Sequence, residues 1–90
     1  MRIDDFLSTV GIIKRRTMAK EIADNGLVEV NGRRVKASYD VRTGDIIVIK
    51  GGHPIKVEVL KVPHGSVAKA TRPEYFKLIA SPNPPVRKQS

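Results

Sequence analysis

The chain has 90 residues, enough for one small domain with a modest core and too few for a binding domain plus a separate catalytic one. Seventeen Lys and Arg against nine Asp and Glu give a formal charge of +8, a balance suited to nucleic acid or another polyanion as partner. Without cysteine there is neither a disulfide framework nor a thiolate metal site, and no stretch reaches the roughly 20 apolar residues that span a bilayer.

Ile3, Phe6, Leu7 and Val10 recur at helical spacing ahead of Gly11 and predict a short first helix over residues 3–10. Asp4 and Asp5 stand where a secretory signal would carry its apolar run, so a cytoplasmic location is expected. Met18, Ala19, Ile22 and Ala23 fall on one broad face and predict a second helix from about Arg16 to Asn25, stopped at Gly26. That face puts Arg16 and Lys20, one turn apart, on the flank away from the core.

The period then changes to two. Residues 27–30, "LVEV", and 33–36, "RRVK", flank Asn31-Gly32, whose two positions accept positive φ, so a hairpin should pair Val30 with Arg33, Glu29 with Arg34 and Val28 with Val35. Residues 41–45, "VRTGD", read as a turn and "IIVIK" as a buried strand. Gly51-Gly52 and Pro54 punctuate a second hairpin, whose return strand alternates Ile55, Val57 and Val59 with Lys56 and Glu58. Residues 61–72 read as a loop. Thr71 and Glu74 have capping-box spacing ahead of "YFKLI", which is either a short helix or an edge strand. The proline-dense ending "SPNPPVRKQS" is expected to be a disordered tail. The expected fold is α+β, two short helices packed on a small, mostly antiparallel sheet. Residues 1–62 form the domain, 63–80 an extension packing on or beside it, and 81–90 the tail.

Lys14, Arg15, Arg16, Lys20, Arg33, Arg34 and Lys36 crowd one helix and one hairpin. Lys20 with Asp24 at i,i+4 and Glu29 with Arg34 across the hairpin would each contribute roughly 0.2–1 kcal/mol. Lys14, Arg15, Arg16, Arg33 and Lys36 would remain without a local partner. Solubility alone accounts for net charge, but like charges concentrated on two adjoining elements repel each other unless something anionic binds there. The only aromatics are Phe6, Tyr39, Tyr75 and Phe76, so recognition through backbone shape is expected rather than base stacking. Ser8, Ser38, Asp40, His53 and His64 supply no arrangement of nucleophile, base and orienting group, and the two histidines lack a third ligand, so neither catalysis, metal nor cofactor is expected. The second helix carries small and medium apolar residues suited to packing rather than the Trp, Phe or Leu of a membrane-surface helix, so no membrane partner is expected.

The stretch "RIDDFLSTVGIIKRRTMAKEIADNGLVEVNGRRVKASYDVRTGDIIVI", residues 2–49, resembles the RNA-binding domain first described in small-subunit ribosomal protein S-four. The matching features are the opening "RIDDFL", Arg16 three residues before Ala19, Gly26, the "VNGRRV" hairpin and the later "GD". Residues 2–32 are similar to the small free-standing members, the RqcP and heat-shock protein fifteen family. One departure is Arg15, at a position where many members place a Ser or Thr that caps the helix.

The resemblance implies that the helical pair and the hairpin form an RNA-contacting surface, with Arg2 and Arg16 as first contacts and Lys14, Arg15, Lys20, Asn31, Arg33, Arg34 and Lys36 as further ones. It implies a non-catalytic, monomeric, cytoplasmic and ribosome-associated factor of ribosome quality control. Its partners would be large-subunit rRNA and P-site peptidyl-tRNA on obstructed large ribosomal subunits. It would support C-terminal alanine tailing of stalled chains by an RqcH-like tailing factor. The alternative is a general rRNA-binding or ribosome-assembly protein without a rescue role.

Overall fold

The computed structural model describes residues 1–51, 54–65 and 67–80, and its architecture is the expected α+β one. Helices α1 (Ile3–Thr9) and α2 (Arg16–Asp24) precede strands β1 (Val28–Val30), β2 (Arg33–Arg34), β3 (Ile46–Ile49), β4 (Ile55–Val59) and β5 (Phe76–Ala80). The strands form one sheet in the order β2-β1-β3-β4-β5 with every pair antiparallel. A 3-10 segment, Lys69–Glu74, leads into β5.

The helices are too short to persist alone, and burial holds them. Ile3, Phe6, Leu7 and Val10 of the α1 region share a core with Ala19 and Ala23 of α2 and with Val28, Val30, Ile47, Ile49, Val57 and Val59 of the sheet. Full burial of each large side chain stabilises by roughly 1.5–3 kcal/mol, so Ile3, Phe6 and Leu7 anchor the first helix. Asp4 and Asp5 lie in the first turn of α1, where negative charge complements the helix dipole, and the Asp4 carboxylate accepts from the Asp5 amide at 2.8 Å.

One feature of α2 differs from expectation. Its buried stripe is the narrow pair Ala19 and Ala23, whose small side chains let α1 pack closely, and this turns Met18 out of the core to 52% exposure. Arg15, at the N-cap, makes no side-chain cap bond, in keeping with the missing Ser or Thr.

The hairpin has the expected register, Val30 opposite Arg33 and Glu29 opposite Arg34, while the Val35 amide bonds to the Val28 carbonyl just beyond β2. Asn31 and Gly32 sit at φ 53° and 85°, as a two-residue hairpin turn requires. β3 is buried on one face only: Ile47 and Ile49 enter the core, whereas Ile46 and Val48 share the opposite face with Glu29 and Glu58. Burial therefore alternates along the strand, with Ile46 and Val48 half-buried, although all four side chains are apolar.

Residues 61–72 are not wholly irregular, since the 3-10 segment begins at Lys69. Thr71 caps nothing; its hydroxyl donates to the Ala68 carbonyl at 3.0 Å, inside that segment. The run after it is a strand, β5, at the edge of the sheet beside β4. Gly52 and His53 of the second turn, and the expected disordered tail over 81–90, lie outside the described residues.

Candidate nucleic-acid interface

The start of the chain is clipped to the loop before β3. The Ile3 amide bonds to the Tyr39 carbonyl at 2.8 Å, the Val41 amide to the Met1 carbonyl at 2.9 Å, and Arg2 forms an isolated bridge with Asp40. This pairing fixes Arg2 at the entry to α1. Its guanidinium turns to Asp4, with Nε and Nη2 each donating to a different carboxylate oxygen at 3.2 Å.

Asp4 is 1% exposed and also faces Arg16, whose Nε stands 3.7 Å from it and 2.9 Å from Asp5. Arg16 and Lys20 are both exposed on α2, as the helical face suggests, and the close α1–α2 packing also brings Arg16 to the acidic first turn of α1. Two guanidiniums, 44% and 54% exposed, are thus held from one side by buried or half-buried carboxylates. Because each uses its Nε edge for this, several Nη–H donors of each remain directed elsewhere.

The second cluster lies where the hairpin meets the end of α2. Arg34 rests against Gly26: a Cβ built on that glycine would stand 3.2 Å from the Cδ and Nη1 of Arg34. Asp24 accepts from the Ala37 amide at 3.3 Å, which places Lys36 beside the same helix end, and Lys20 reaches Asp24 at 3.9 Å. The expected Glu29–Arg34 ion pair does not form, although the two residues are opposite each other. Glu29 pairs with Lys50 of the neighbouring strand end at 2.6 Å, leaving Arg34 without a carboxylate. Among the described residues, Lys14, Arg15, Arg33, Arg34 and Lys36 have no carboxylate within ion-pair distance, so Arg16 leaves the expected unpaired set and Arg34 joins it.

The positions of Lys14 and Arg15 oppose local stability. They stand at the N-terminal end of α2, whose first turn has no acidic residue, where positive charge is unfavourable against the helix dipole. An anion arriving there relieves both that interaction and the mutual repulsion of the cations.

Asn31 is a structural residue of this surface. Its side-chain amide donates to Asp45 at 3.1 Å and its carbonyl accepts from the Ile46 amide at 3.0 Å. Asp45, buried in the same place, also accepts from the Tyr39 hydroxyl at 2.9 Å and the Arg42 amide at 3.0 Å. Partial burial of the ring and this bond to Asp45 raise the Tyr39 pKa above the usual tyrosine value. The bond from the N-terminal ammonium holds Asp40 below the usual carboxylate range. These groups tie the hairpin tip, the 37–45 loop and the chain start into one frame under the cations.

Asp4, Asp5 and Asp45 carry this arrangement, and sequence reasoning assigned them no part in it. The acidic pair beside Arg2 is a local signal, but its contact with Arg16 crosses between helices and has no signature in the spacing.

Comparison with known proteins identifies the family and the fold. The S4 domain family profile matches residues 1–47. A Bacillus subtilis protein named RQC P-site tRNA stabilizing factor is 47% identical over 55 residues, 61% of this chain and 64% of that protein, just under two thirds of its length. A protein of the same name from Listeria monocytogenes is 35% identical over 79 residues, covering 88% of this chain and 86% of the relative. The trimeric structure of Vibrio cholerae heat-shock protein 15 superposes with a TM-score of 0.80, covering 89% of this chain and 82% of that one at 23% identity, which establishes a shared fold.

Proposed function

We propose, because the chain belongs to the S4-domain family and within it to the RQC P-site tRNA stabilizing factors, that it is a non-catalytic RNA-binding factor of the large ribosomal subunit. It steadies the P-site tRNA of obstructed subunits and contacts the adjacent rRNA, in support of an RqcH-like factor that adds alanine to the stalled chain. Its place of action is the cytoplasmic ribosome, and no helix among the described residues is long and apolar enough to cross a membrane.

The observation that carries this reading is the pair of guanidiniums, Arg2 and Arg16, held on Asp4 and Asp5 beside a set of uncompensated cations on the helical pair and hairpin. Phosphates of a folded RNA stand at fixed separations, and a rigid surface matches them where a flexible basic tail does not.

The test has two arms. Sedimentation of the purified chain with intact ribosomes, vacant large subunits and large subunits carrying peptidyl-tRNA should show preference for the last. Equal binding to all three would favour a general rRNA-binding protein. In the second arm, Arg2 and Arg16 are replaced together by alanine and compared with Arg87 and Lys88, which lie outside the described residues and carry the same formal charge. Loss of the first pair should weaken binding by about 2 kcal/mol or more, given about 1.5–3 kcal/mol for a hydrogen bond to a charged group, while loss of the second costs little. Wild-type affinity should fall steeply with salt, with a log–log slope of about −0.7 to −0.9 per neutralised phosphate. Equal losses in two folded variants would mean that net charge rather than a defined surface drives binding.

A further inference from the structure

Arg72 belongs to the C-terminal segment, which the cation patterns of the helix and hairpin do not include, yet the fold carries it to the α1–α2 turn. Its backbone is anchored on the sheet side: the Tyr75 amide bonds to the Arg72 carbonyl at 3.1 Å, and the Leu60 amide at the end of β4 bonds to the Tyr75 carbonyl at 2.9 Å. From there the side chain lies across Gly11. A Cβ built on Gly11 would stand 2.8 Å from Arg72 Nη1, 3.0 Å from Cδ and 3.1 Å from Cζ, so the guanidinium lies against bare backbone that turns at φ 81°.

Among the described residues the guanidinium has no carboxylate within ion-pair distance, and its Nε is buried without a hydrogen bond. The carbonyls of Phe6, Ser8 and Leu7 near the end of α1 already accept from the Val10, Gly11 and Ile13 amides. The nearby acid in sequence, Glu74, pairs with Lys61. A permanently charged group with a buried, unbonded N–H is costly to maintain, and the turn it rests on leads directly into the unpaired Lys14 and Arg15.

We infer that Arg72 is an RNA-contacting residue: with Lys14 and Arg15 it forms a phosphate-binding element at the α1–α2 turn, its Nη groups taking a backbone phosphate of the bound RNA while Nε stays covered against the turn. A planar guanidinium suits this because its parallel N–H groups match two phosphate oxygens at once. The assignment rests on the RNA-binding function proposed above and extends that surface from the helical pair and hairpin to the segment before β5. It also gives Gly11 a reason beyond its turn, since any side chain there would displace the guanidinium.

The experiment measures affinity for large subunits carrying peptidyl-tRNA across a salt series, for the wild-type chain, Arg72→Gln, Arg72→Lys and Lys77→Gln. Lys77 is an exposed cation on β5 and controls for charge alone. Removing one phosphate contact should weaken binding about tenfold at low salt and lower the salt slope by about one for Arg72→Gln. Lys77→Gln should leave the slope unchanged, and Arg72→Lys should recover part of the affinity by keeping the charge without the fork. An Arg72→Gln chain that is folded and keeps the wild-type slope reduces Arg72 to a strap and overturns the assignment. A flat salt dependence of the wild-type chain would overturn the proposed function itself, and this inference with it. Should Arg72→Gln fail to fold, titration of the wild-type chain with inorganic phosphate decides: the Arg72 Nε–Hε and Gly11 amide resonances must shift, and their constancy overturns the assignment.

Discussion

Asp4 shows how a single buried carboxylate organises a basic surface. Left alone, Arg2 and Arg16 would each sample many rotamers, and binding RNA would have to order both. With Asp4 and Asp5 holding their Nε edges, most of that ordering is complete before RNA arrives. Asp4→Asn should therefore act on stability and recognition together. The cost to folding is expected at about 1–3 kcal/mol, below the roughly 3–5 kcal/mol for breaking a fully buried pair, because both arginines retain access to water. Urea unfolding of Asp4→Asn, read beside its affinity for large subunits, tests this. Unchanged stability would mean that the carboxylate is a bystander, and stronger RNA binding would mean that it merely competes with phosphate.

At the scale of elements, the β1–β2 hairpin works as a lever. Its two strands are short, and its position is set by what the turn holds: Asn31 reaches across to Asp45 and Ile46, so the hairpin tip is bolted to the strand beyond its own partner. Gly32 has open space where a Cβ would be, which separates conformational strain from steric collision. Gly32→Val should cost about 1–3 kcal/mol through backbone strain at positive φ alone. Affinity should fall with it, as Arg33 and Arg34 lose their register against Val30 and Glu29. A melting temperature and affinity equal to the wild type would show that the turn does not set that register.

At the scale of the whole molecule, the chain start, the 37–45 loop and the hairpin tip are joined by two titrating groups with opposite pH dependence. Asp40 is held below its usual range by the N-terminal ammonium, so its contribution is present above the pKa it has when unfolded and is lost as pH falls through the folded value. Tyr39 is raised, first by burial and then by its bond to Asp45, so its contribution is present below the ordinary tyrosine pKa and is lost as pH rises through the raised value. Unfolding midpoints across pH should show the deficit of Asp40→Asn shrinking toward acid and that of Tyr39→Phe shrinking toward alkali. Deficits that do not change with pH would mean that neither group is linked to folding.

Local chemistry determined much of this protein by itself. The apolar spacing of Ile3, Phe6 and Leu7, the Asn31-Gly32 turn with its register and the alternation through Ile55, Val57 and Val59 act over a few residues, and each element formed where they placed it. The same reading found the concentration of charge, since among the described residues Lys14, Arg15, Arg33 and Lys36 have no carboxylate partner in the fold, as in the sequence. Tertiary structure decided the pairings. Arg16 meets Asp4 and Asp5 because α1 and α2 pack through small residues, Glu29 chooses Lys50 over Arg34 because β3 lies beside β1, and Arg72 reaches Gly11 from the far end of the chain. Met18 faces solvent for the same reason, the helix being rotated by the neighbours it touches rather than by its own hydrophobicity. Periodicity records which side of an element is apolar, but a long charged side chain takes whichever partner the packing of other elements brings within reach, and that partner has no fixed offset in sequence.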